Sequence, residues 1–178
     1  MNSLRNSPVA AVQLDVAPDE WLEFASGQPD FGVFHHPAWS RLMAECYGYR
    51  PFVAGVRGAD GRLLAGIPLM EVGGALRGRR WVGLPFTDHL EPLAVAPDYT
   101  ARLLEGVFAA SVRDGVSTVE IRSTPLPAPA SEMPATHVLH VSQISGDFKE
   151  VSRGFKKGHV GGIRKAQRSG VTVSVETS

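Results

Sequence analysis

Residues 51–56 and 62–72 are two β-prone apolar runs separated by the turn Gly58-Ala59-Asp60-Gly61. A short Gly/Asp turn between such runs joins antiparallel strands, so this stretch commits the chain to a sheet. Pro68, inside the second run, lacks the N–H that a ladder needs and points to an edge or a bulge. Residues 73–80 then read as a loop or hairpin and 81–84 as a further strand.

Helical periodicity surrounds this sheet. Pro18 opens a helix through about Ser26, with Asp19 and Glu20 at its positive end and Gly27 to stop it. A second helix over 38–47 carries Trp39, Leu42, Met43 and Cys46 on one face and stops at Gly48. The strongest pattern is 98–114, where Leu104, Val107, Phe108, Ser111 and Val112 follow the i, i+3, i+4, i+7, i+8 rule before Gly115. Short strands are expected at 10–16, around Val119 and Ile121, and at 137–141, with the proline-rich stretch 123–134 as a solvated connector. The order predicts an α+β (mixed α/β) fold in which a mixed, largely antiparallel sheet is flanked by helices.

The end of the chain differs in charge. All four lysines (Lys149, Lys156, Lys157, Lys165) fall there with Arg153, Arg164 and Arg168, so residues 149–178 carry seven cations against two acids, a net +5 that the rest of the chain cancels. Phe148, Val151, Phe155, Ile163 and Ala166 recur at spacings that suit helices laid on a core. Because interior glycine costs roughly 1 kcal/mol, Gly158, Gly161 and Gly162 predict two short helices, the second spanning about 162–169. Gly170 should cap it, and the alternating Val171, Val173 and Val175 should follow as a strand. The expected division is therefore 1–146 and 147–178.

Composition excludes several classes. At 43% hydrophobic and 20% charged, the chain can bury a core. No apolar run approaches the roughly 20 residues of a membrane span, and the first 21 residues lack the pattern of a signal peptide, so a cytoplasmic protein is expected. The single Cys46 rules out an internal disulfide and reads as a buried structural thiol. His35 and His36 are adjacent, point about 100° apart on a helix and form no metal pair; a start-of-helix or groove-lining role remains. Neither GxxxxGK[ST], GxGxxG nor GxSxG occurs, so no nucleotide loop or serine elbow is expected. Asp88, His89 and Glu91 lie in a proline-bounded segment that reads as turn chemistry or as a site, with Asp88 the candidate for function.

Several of these segments, in this order, resemble one family. Phe34-His35-His36-Pro37-Ala38-Trp39, Tyr49-Arg50-Pro51-Phe52-Val53-Ala54, Leu64-Ala65-Gly66-Ile67-Pro68-Leu69 and Leu84-Pro85-Phe86-Thr87-Asp88-His89-Leu90-Glu91-Pro92-Leu93 are similar to the amino-terminal half of FemAB-type, GNAT-like acyltransferases. Phe155-Lys156-Lys157-Gly158-His159, Ile163-Arg164-Lys165-Ala166 and Gly170-Val171-Thr172-Val173 resemble the helix and strand that join that family's halves. The resemblance implies transfer of an acyl or aminoacyl group to an amine of a cell-wall (peptidoglycan) or exopolysaccharide precursor. It implies that Trp39 and Asp88 line the acceptor groove, Asp88 being the catalytic carboxylate that holds or deprotonates the amine, with His36 and His89 as further substrate-binding residues and Arg164 and Lys165, also substrate-binding, near a domain junction. The donor, acyl-CoA or aminoacyl-tRNA, would be held mostly by a second acyltransferase domain, so no cofactor is expected on these residues. The alternative reading is a non-catalytic module whose basic end docks an anionic partner such as RNA.

Overall fold

The hairpin is formed as its turn dictates. In the computed structural model, which describes residues 12–74, 78–124, 126–131 and 146–174, β1 (Arg50–Arg57) and β2 (Leu63–Gly74) are antiparallel, with Phe52 opposite Leu69 and Ala54 opposite Ile67. Gly61 takes φ +82°, a conformation that glycine adopts without cost, and the Gly58 N–H donates to the Arg62 carbonyl. β3 (Gly78–Val82) is antiparallel to β2. A two-residue β4 (Leu93–Ala94), which no sequence signal marked, pairs with β2 at Ala65 and Gly66. Helix α3 (Pro97–Arg113) then carries the chain to β5 (Thr118–Glu120), parallel to β3. With α1 (Pro18–Ser26) and α2 (Pro37–Tyr47) this is an α+β fold around a mixed, mostly antiparallel five-stranded sheet.

Pro68 lies in neither an edge strand nor a bulge. Its strand is the central one, and Pro68 stands opposite Val53 of β1. Leu64 gives its carbonyl to Val95, so alternation points the backbone of the even-numbered residues of β2 away from β1. On that side β4 occupies positions 65–66 and β3 begins at Met70. The proline falls between two partners, where no N–H is required.

The same alternation sorts the core. Phe52, Ala54 and Val56 share a face with Ile67, Leu69 and Trp81, and that face clusters with Leu103, Val107 and Ala110 of α3. On the opposite face Trp21 of α1 lies so close to Gly66 that a Cβ built there would sit 2.7 Å from the indole. Val16, Ala25, Leu63 and Leu93 complete that smaller cluster.

Several expectations need correction. The strand at 10–16 is, over the described residues, a single bridge of Gln13 to Gly55. Cys46 is exposed and not a core thiol; only Met43 is buried on α2, and Leu42 is 45% exposed. On α3 the buried stripe is Leu103, Leu104, Val107, Ala110 and Ser111, leaving Phe108 and Val112 at 54% and 64% exposure. Strand 137–141 lies outside the described residues.

The chain forms two compact units, Met1–His137 and Val138–Ser178. The second holds α4 (Phe148–Arg153), capped by the Asp147 carboxylate on the Lys149 N–H, and α5 (Lys157–Arg168). α5 begins five residues earlier than the glycines suggested and runs through Gly158, Gly161 and Gly162. The joint is at Gly154 instead. No residue of either helix is buried, so the apolar spacing is not a face laid on a core among the described residues. Phe148 and Phe155 meet edge to face at 6.2 Å. Gly170 has the expected positive φ of +75°, but residues 171–174 form no strand.

Candidate functional site

Two sequence segments, Phe34-His35-His36-Pro37 and the stretch from Gly83 to Pro92, are tied together through a histidine. His35 ends a 3-10 turn (Val33–His35) and is buried. Its Nδ1 accepts from the Gly32 N–H at 3.0 Å, so the proton sits on Nε2, which donates to the Glu91 carbonyl at 2.9 Å. The Trp21 indole N–H donates to the His35 carbonyl at 2.7 Å, adding α1 to the same junction. His36 acts locally instead, its Nδ1 accepting from the Ala38 N–H and so capping α2.

The segment after β3 is held from both sides. Gly83 N–H donates to the Glu120 carbonyl and Leu90 N–H to the Arg122 carbonyl, both at 2.7 Å. Thr87 is fully buried and donates its hydroxyl to the Leu84 carbonyl, while Arg122 donates to the Thr87 carbonyl at 3.1 Å. His89 contacts the Glu91 carboxylate at 2.9 Å, which also accepts from the Thr124 N–H. Leu84 and Phe86 adopt φ of +46° and +65°, uncommon for side chains of their size. Within this frame Asp88 is exposed and makes no hydrogen bond or ion pair among the described residues. It is a carboxylate on a fixed loop with no structural duty.

Trp39 is half-buried, edge to face with Phe34 at 5.1 Å, and its indole N–H is buried without a partner among the described residues. Arg164 and Lys165 lie on α5 in the other unit. Two clefts open on the first unit. One, of about 340 Å³, runs between α1, α2 and β1 and is mainly apolar, with Asp15 and Arg41 as its charged members. The other, of about 220 Å³, lies where the parallel strands β3 and β5 end, lined by Tyr49, Arg80, Val82, Phe86, Glu120 and Arg122. Neither is lined by Trp39, His36, Asp88 or His89. The residues of the second cleft escaped sequence reasoning because they meet only through the parallel register of β5, which no local pattern encodes. No cluster of three or more His, Cys, Asp or Glu side chains placed to hold a metal occurs among the described residues.

His35 and Glu71 are among the groups that make stability depend on pH. Glu71 accepts from Arg79 at 2.6 Å and from the Trp81 indole at 3.0 Å, with Arg50 at 3.5 Å. The Arg79 bond above all holds its carboxyl at about 2, against an ordinary 4.5. Burial, the main cause, pushes His35 below the usual 6.5. Both folded values are depressed, so each contribution is present above the unfolded value and is lost as pH falls towards the folded one. Unfolding free energy should therefore decline from pH 6.5 through His35, and again between 4.5 and 2 through Glu71. Urea titrations at stepped pH should show Glu71→Gln flattening the lower decline by about 1–2 kcal/mol, discounted for solvent screening. An unchanged decline would remove Glu71 from the account.

No protein-family model matches the sequence, and no curated protein is significantly similar to it.

Proposed function

We propose that this chain is the acceptor-binding domain of a FemAB-like acyltransferase, which moves an acyl or aminoacyl group from acyl-CoA or aminoacyl-tRNA to an amine. The observation that carries the reading is the state of Asp88. Thr87, His89, Glu91 and Arg122 all use their polar groups to fix the loop, whereas the Asp88 carboxylate has no partner among the described residues. Transfer to an amine needs a carboxylate that orients the ammonium and takes its proton, and a rigid loop supplies the positioning. The test is transfer to an amine acceptor by wild-type and Asp88 variants of the complete enzyme, with both donor types supplied. Full activity without Asp88 ends the reading.

A second reading has its own support on α5. Lys157, Arg164, Lys165 and Arg168 are exposed and make no ion pair among the described residues. Four unpaired cations on one helix suit an anionic partner such as tRNA. If they bind it, affinity should fall about 10-fold or more between 50 and 200 mM salt, and Arg164→Ala with Lys165→Ala should make that dependence shallower. Filter binding with tRNA measures this, and a flat salt profile rejects the reading.

A further inference from the structure

The cleft where β3 and β5 end has three features of its own, and its Arg122 also serves the Asp88 loop. The first is a pair of guanidinium groups. Arg80 and Arg122 each lie 3.0 Å from the Glu120 carboxylate, so the acid holds the two heads in place and one positive charge remains uncompensated. Arg122 also donates to the Thr87 carbonyl, whereas among the described residues the Arg80 side chain bonds only Glu120 and keeps unused donors. The second is a row of rings: Tyr49 stacks on Tyr47 at 5.7 Å, and Tyr47 meets Phe86 at 4.7 Å.

The third is the backbone at Phe86. A bulky residue at φ +65° is costly, and Phe86 is 60% exposed, so burial of its ring offsets little of that cost. Glycine would form the same turn without strain. Phe86 and Arg80 line the same cleft, which puts an exposed ring and a guanidinium within reach of one small ligand.

We infer that this cleft binds a small planar anion, a single aromatic ring bearing a carboxylate or a phosphate monoester, with the ring against Phe86 and Tyr49 and the acid on Arg80. About 220 Å³ has room for one such ring and its acid group. The site stands whether or not the chain transfers acyl groups.

The test is NMR titration of the full chain with benzoate and with phenyl phosphate, set against benzamide, which lacks the charge, and acetate, which lacks the ring. Saturable shifts at Phe86 and Tyr49 are expected from at least one aryl anion, with benzamide and acetate at least about tenfold weaker. The tighter of the two aryl anions identifies the acid as carboxylate or phosphate. Arg80→Ala should weaken binding about tenfold or more. Phe86→Gly should weaken it about fivefold while the protein melts no lower than wild type, separating a ligand contact from a structural one. Acetate binding as tightly as benzoate, no saturation by either aryl anion, or wild-type affinity in both variants overturns the assignment.

Discussion

Asp88→Asn is expected to slow acyl transfer by about 10²- to 10⁴-fold, the usual worth of a positioned general base, while leaving the melting temperature in place. Asparagine keeps the size and hydrogen-bonding reach of the side chain but loses its charge and its basicity. Because Asp88 is exposed and unpartnered among the described residues, the fold has nothing to lose; surface changes of this kind stay within about 0.5 kcal/mol. Steady-state kinetics distinguishes two roles. If Asp88 takes the proton, kcat falls; if it only anchors the ammonium, KM rises with kcat kept. Asp88→Ala should behave like Asp88→Asn in the first case. Unchanged kcat and KM in both variants would leave the loop without its proposed chemistry.

Trp21→Ala should cost about 3–5 kcal/mol of folding free energy, the range for an emptied aromatic site. Trp21 is fully buried. It packs on Gly66, with no Cβ between indole and strand to fill the space it would leave. Its N–H also satisfies the His35 carbonyl at 2.7 Å, so truncation leaves a buried acceptor unpaired as well as a cavity. Set against a typical total of about 5–15 kcal/mol, this is enough to leave a large unfolded fraction. Trp21→Phe isolates the polar part. It fills most of the volume, loses only the donor and should cost about 1–3 kcal/mol. Urea denaturation reads both; equal losses in the two variants would show that packing on Gly66 contributes nothing. The same relay runs on from His35 to Glu91, so the variants report on the frame that holds Asp88.

Local chemistry was legible in the sequence. The Gly58–Gly61 turn, the proline at the start of α1 and the glycine after α2 each act over a few residues, and each lies where its own chemistry places it. What depends on distant partners was not. Pro68 looked like an edge marker because its chain neighbours do not reveal that β3 and β4 share one side of β2 and leave an interval between them. The face of α3 shifted because periodicity ranks Phe108 and Val112 by hydrophobicity, whereas the sheet accepts the residue that fits, Ala110. Glycine propensity misplaced the joint before α5, since a cost of about 1 kcal/mol biases a helix without forbidding it. At the site, Asp88 stood out as an acid in a proline-bounded loop. The pinning role of His35 is not legible from its neighbour His36, because its partners are 3 and 56 positions away. The cluster Arg80, Glu120 and Arg122 needs the register of a parallel pair that no short pattern announces.

The interval at Pro68 has an evolutionary consequence. The chain leaves β2's side at the end of β3 and rejoins it at β4, and the residues in between, Gly83 to Pro92, include both Phe86 and Asp88. No ladder bond is required of β2 on the side where they depart, and Phe86 and Asp88 are exposed while Leu84, Thr87 and Leu90 are buried. The two exposed side chains can therefore change without altering strand register, and lineages built on this sheet should diverge first at those positions.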